Sequence, residues 1–182
     1  MLLLAFVAVV EFGGRDGANA GSAPPPQGLG PAPNVDLSSM TPREAADNLF
    51  DRVMRAVAND NTTEANNFLP MAIAAYEMAT PLDADGLFHL SLLQRAGGEL
   101  DTALATARSG LEENPDHLLN LSGVAAISLQ LGDTASAREY YTRMLDVWDR
   151  EIAADRVEYT EHAPLLPLLR EDADALLGGG TP

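Results

Sequence analysis

The chain has no cysteine and no lysine. Without a thiol there are no disulfides, thiolate metal sites, thiol nucleophiles, covalent haem attachment or lipid anchoring through an N-terminal cysteine. Without lysine, all 11 basic residues are arginine; they face 27 carboxylates, giving a net charge of -16 over 182 residues. Such a surface repels phosphate backbones and anionic lipid headgroups, which excludes nucleic acid and electrostatic membrane binding and favours a basic partner segment. The missing lysine reflects either a G+C-rich genome or adaptation to salt. Long apolar runs are also absent. Met1 to Val10 is uninterrupted but half the roughly 20 residues that a spanning helix needs.

Signatures of catalysis are equally scarce. His89, His117 and His162 are far apart in sequence, with no pair three or four apart on one helix face, so surface or capping roles are expected and no metal site. No serine sits in a nucleophile-elbow pattern. Gly28-Leu29-Gly30 and Gly178 to Gly180 lack the strand and helix that a phosphate cradle requires. Adjacent carboxylates such as Glu112-Glu113 diverge on a helix and read as solvated faces. Neither an enzyme nor a cofactor is expected.

What is present falls into three stretches. Residues 1–12 form an apolar leader, readable as part of a longer membrane anchor, as a cleaved signal ending near Ala18-Asn19-Ala20, or as an incidental segment. Residues 13–40 are rich in glycine and proline, cannot bury enough surface to offset ordering, and read as a flexible linker. The leader points to a membrane-tethered or exported bacterial protein, with a cytoplasmic one as the alternative. Residues 41–178 are helical in pattern. They open at Thr41-Pro42-Arg43-Glu44, where a capping hydroxyl, a first-turn proline and a glutamate three after the cap coincide.

Leu49, Phe50, Val53, Met54 and Val57 recur at helical spacing in a first helix. A second, opened by Asn61 or Thr62, carries Phe68, Ile73 and Tyr76, and Pro70 inside it predicts a kink or short break. Two clearer units follow, their first helices opening near Asp83 and Asp116 and their second near Asp101 and Asp133. The helix from Thr134 is expected to reach about Asp155. A last helix, from about His162 with Pro164 in its first turn to Leu177, is expected to close the stack. Its leucines 165, 166, 168, 169, 176 and 177 face inward, with Trp148, Tyr140 and Tyr141 joining it to the last hairpin.

The decisive pattern lies in residues 84–151. Ala96-Gly97-Gly98-Glu99-Leu100-Asp101-Thr102-Ala103 and Gln130-Leu131-Gly132-Asp133-Thr134-Ala135-Ser136-Ala137 lie 34 residues apart, each flanked by apolar helical stretches. Gly98 and Gly132 suit the left-handed position that ends a helix, while Ala103, Ala137 and Gly110 let two helices approach closely. The spacing, with Leu87, Leu90, Ser91 and Pro115 in one unit and Leu121, Val124, Ala125 and Tyr141 in the next, resembles the tetratricopeptide repeat family. The resemblance implies an all-α fold, a short right-handed α-solenoid of three antiparallel hairpins with a C-terminal capping helix. It also implies a non-enzymatic protein-interaction module whose concave face is lined by the first helix of each hairpin.

Carried over position by position, the groove comprises Phe50, Met54 and Val57, then Asp85, Phe88, Leu92 and Arg95, then Leu119, Ser122, Ala126 and Leu129. Lysine and asparagine clamps for a terminal carboxylate are missing from these positions, so the chaperone-docking subgroup is excluded. The partner implied is a protein or peptide, apolar with basic flanks. A membrane-tethered assembly factor of the cell envelope or of cytochrome maturation is the alternative, and some groove side chains could instead pack only against the protein itself.

Overall fold

A computed structural model describes residues 40–178; the leader, the linker up to residue 39 and the last four residues lie outside it. Among the described residues there are eight helices and no strand: α1 (Pro42–Ala58), α2 (Thr62–Met78), α3 (Ala84–Ala96), α4 (Leu100–Glu113), α5 (Leu118–Gln130), α6 (Thr134–Ala153), α7 (Val157–Glu161) and α8 (Leu166–Gly178). The described part is all-helical, built from the hairpins α1/α2, α3/α4 and α5/α6, with the short α7 and longer α8 closing the stack.

The helix ends follow from local chemistry. The Thr41 hydroxyl accepts from the Glu44 amide while the Glu44 carboxylate accepts from the Thr41 amide, a complete capping box. Asn61, Asp83 and Asp133 side chains cap α2, α3 and α6 in the same way. Gly98 (φ 80°) and Gly132 (φ 82°) occupy the left-handed region after α3 and α5. The amide of Glu99 reaches back to the Gln94 carbonyl and that of Asp133 to Ser128, so both interhelical turns close identically 34 residues apart.

The helices bury one stripe each. α1, α2 and α3 enclose Phe50, Val53, Leu69, Tyr76 and Leu93. A second cluster, with Phe88, Leu118, Leu121, Ile127, Met144 and Trp148, runs from α3 to the C-terminal helices. Leu92 packs against both clusters, so the core is continuous along the stack. Each fully buried Leu, Ile or Phe contributes about 1.5–3 kcal/mol of transfer free energy.

Three expectations are corrected. α2 runs without a break through Pro70, because Pro70 and Asn66, whose carbonyl it frees, both face solvent. The closing helix is not continuous from His162: α7 ends at Glu161, residues 162–165 form a turn, and the proline in the first turn of α8 is Pro167 rather than Pro164. Leu168 lies on the exposed side, while Leu165, Leu166, Leu169, Leu176 and Leu177 pack inward.

At the α3/α4–α5 junction, a Cβ on Gly110 would stand 2.4 Å from Asn120 Nδ2. Asn120 is fully buried and cannot swing away, since its Nδ2 donates to the Ala84 carbonyl at 2.7 Å. Gly110→Ala is therefore expected to cost about 1–3 kcal/mol by overpacking. Urea unfolding should show a lower midpoint with an unchanged slope.

Candidate functional site

The eleven positions expected to line a groove lie on α1, α3 and α5, and they differ in burial. In the N-terminal halves of α3 and α5 and at the middle of α1, Phe88, Leu119, Ser122 and Phe50 are buried and Asp85 nearly so. Toward the C-termini, Met54, Val57, Leu92, Arg95 and Ala126 are partly exposed and Leu129 is 38% exposed. Phe50 is covered by Tyr76 and His89, and the chain's own C-terminal segment covers Phe88 and Leu119. The His162 ring stands edge-on to Phe88 with centroids 5.8 Å apart. Tyr159 accepts a hydrogen bond from the Leu118 amide at 3.1 Å, and the α8 leucines pack on the cluster that contains Phe88 and Leu119. Phe88 is only 2% exposed, so truncating it would be felt first in stability.

Beneath this segment lies a polar network that joins α1, α2, α3 and the turn after α7. Arg43 binds Asp47, Asp83 and Asp85 at 2.9, 2.7 and 2.8 Å. Tyr76 donates its hydroxyl to Asp47 and lies 2.8 Å from His89 Nδ1. Asp47 is held below the usual carboxylate range: burial opposes this, but hydrogen bonds from His89 and Tyr76 and the Arg43 charge outweigh it. It is therefore an acceptor only, and Tyr76 has no second proton to give. Hence His89 donates from Nδ1 to the Tyr76 oxygen, with Asp47 Oδ1 3.4 Å from the same nitrogen, and in the neutral ring the lone pair is then on Nε2.

That Nε2 lies 3.0 Å from His162 Nε2, which in turn lies 3.2 Å from Asp85 Oδ1. The Phe50 and His89 rings stack with centroids 4.1 Å apart, fixing the imidazole from behind. Burial raises the Asp85 carboxyl, yet His162, His89 and Arg43 together hold it at about 2. Beside the network opens a cleft of about 500 Å³ lined by Asp47, Asp83, Asp85, Glu113, Glu158 and Glu161, with Arg43 and Arg156 the only cations among its lining residues.

His117 is buried at the start of α5. Its Nδ1 accepts from the Asn120 amide and from Asn120 Nδ2, at 3.4 and 2.9 Å. It thus fills the capping role expected, though inside the protein rather than on its surface.

Two of the three histidines are not separate, as their spacing suggested. His89 and His162, 73 residues apart, meet on one carboxylate. Half of this was legible, because Asp85 and His89 are four apart on one face of α3. The other half was not: no local pattern links His162 to α3, and Asp47 and Tyr76 join only through tertiary packing.

No family model matches the chain, and no curated protein matches it. Among solved structures, the chain is similar to the type III secretion chaperone SycD of Yersinia enterocolitica, solved in complex with a peptide of the translocator YopD. The TM-score is 0.51 at 14% identity, covering 76% of this chain and 96% of that one. The likeness is one of fold. No helix among the described residues is long and apolar enough to cross a membrane.

Proposed function

We propose that the chain is a non-enzymatic protein-interaction module that takes an apolar segment of a partner, with basic flanks, along the open half of its concave face. One observation carries this reading: Met54, Val57, Leu92 and Ala96, from α1 and α3, are partly exposed and pack on one core cluster. The charge of -16 then favours a partner with arginine or lysine beside its apolar residues. The similar chaperone structure, which holds a peptide, supports the same use of the fold.

Covering Met54, Val57 and Leu92 at about 1.5–3 kcal/mol each yields roughly 4–9 kcal/mol gross. Association and ordering cost about 4–15 kcal/mol, so affinity is weak to moderate unless charge contributes. Partner segments recovered by crosslinking in the native cell should be measured for both rate constants at low and high salt. Added salt should slow association more than it speeds dissociation, since screening acts on steering between exposed charges. Leu92→Asp should weaken binding at least about tenfold through faster dissociation, beyond the stability that urea unfolding of the same variant shows to be lost, since Leu92 also packs against both core clusters. An acidic partner, or indifference to Leu92→Asp, would overturn the assignment.

A further inference from the structure

We propose that Asp85, His89 and His162 together bind one divalent transition-metal ion of the zinc class, which ties the turn after α7 to α3. The site is independent of the groove reading. Its three ligand atoms, Asp85 Oδ1 and the Nε2 atoms of the two histidines, lie within 4.8 Å of one another. Their separations are 3.0 Å between the histidines, 3.2 Å from His162 to Asp85 and 3.8 Å from His89 to Asp85. Ligands about 2.05 Å from a tetrahedral zinc stand about 3.3 Å apart, whereas octahedral coordination at similar bond lengths gives about 3.0 Å. The observed edges average about 3.3 Å, so one ion fits between the three atoms with little movement.

Behind two of the three ligands, supporting atoms are also in place. A metal-bound histidine ordinarily donates its other ring N–H to an oxygen, which fixes the tautomer and raises its basicity. His89 does so from Nδ1 to Tyr76, whose hydroxyl is held by Asp47. Asp85 gives Oδ2 to Arg43 at 2.8 Å, leaving Oδ1 turned toward the histidines. Imidazole nitrogen with one carboxylate suits zinc, copper, nickel or iron, and the hard ions magnesium and calcium prefer all-oxygen sets. Six carboxylates against two arginines in the adjoining cleft, which Asp85 also lines, give a cation a favourable approach from solvent.

Without an ion, the His162 Nε2–H is shared between the His89 lone pair and Asp85. Metal takes the place of that proton, which moves to His162 Nδ1, so the ring stays neutral and offers its Nε2 lone pair to the ion. Because His162 belongs to the segment that covers the N-terminal half of the concave face, the ion would hold that segment closed.

The test uses the full chain without a histidine tag, stripped with chelator and titrated with Co²⁺. Saturation at one equivalent is expected, with visible ligand-field absorption of a four- or five-coordinate site that Zn²⁺ abolishes and excess Mg²⁺ does not. Zinc at about a hundred times its dissociation constant should raise Tm by roughly 5–10 °C. His162→Gln, in a partly exposed turn, should fold, lose the absorption and bind at least tenfold more weakly. Glu161→Gln, next to it in the cleft, should keep both. Absence of a visible band from the wild type, or equal binding by His162→Gln, would overturn the proposal: ions would then only condense on the acidic cleft, and the three side chains would form a hydrogen-bonded triad alone.

Discussion

Ala103→Trp and Ala137→Trp are each expected to abolish cooperative folding. Both alanines are completely buried where the two helices of a hairpin cross, Ala103 in α3/α4 and Ala137 in α5/α6. Adding single methylenes to a packed core costs about 1–3 kcal/mol, and an indole adds many times that volume at a point with no free space. Domains of this size are stabilised by about 5–15 kcal/mol in total, so the helices must separate or the chain unfold. Calorimetry should show the main transition lost, with residual helix by circular dichroism falling well below wild type. Trp at exposed Ala105, two residues from Ala103, is the control and should leave Tm within about 2 °C, since surface changes stay within about 0.5 kcal/mol. A wild-type transition in both core variants would remove the 34-residue register on which the hairpin stack rests.

That register was readable because it is written in local chemistry. Gly98 and Gly132 adopt positive φ where a side chain would be strained, and Thr41, Asn61, Asp83 and Asp133 cap the helices that they precede. The C-terminal segment was less legible for the opposite reason. Pro164 and Pro167 are both compatible with a helix start, and sequence periodicity cannot choose between them. The turn at residues 162–165 is set by distant partners, with His162 held on Asp85 and His89. The same limit applies to the groove. The family positions locate Phe88, Leu119 and Leu92 on first helices, but whether each meets solvent depends on where α7 and α8 lie. Phe88 and Leu119 are buried in the cluster on which the α8 leucines pack, while Leu92, packed on the same cluster, stays partly exposed. The Asp85, His89 and His162 cluster spans 77 residues, beyond the reach of any spacing rule.

Acidification from pH 7 to pH 4 is expected to destabilise the protein by about 3 kcal/mol through His117 alone, because each pH unit between its unfolded and folded pKa is worth about 1.4 kcal/mol. Burial pushes the His117 imidazole down from 6.5 to about 4, an effect only partly offset by the negative charge of Asp85. The sign follows directly. Between those two values the unfolded chain binds a proton that the folded chain refuses, so stability is complete above about 6.5 and is lost as pH falls toward 4. The geometry explains the refusal. With Nδ1 accepting from the Asn120 amide and side chain, the neutral ring carries its proton on Nε2, 3.9 Å from Glu158. A second proton would have to enter at Nδ1, against two donors, and would remove the cap of α5. Arg156, on the same side, adds repulsion. Asp85, held at about 2, contributes a further loss only below about 3.8, because its stabilisation needs the carboxylate. Urea midpoints measured in chelator from pH 7.5 to 4 should fall steeply below 6.5. His117→Asn should lower stability at pH 7 yet flatten that slope, since asparagine caps the helix without titrating. An equally steep profile in His117→Asn would assign the acid sensitivity to other groups.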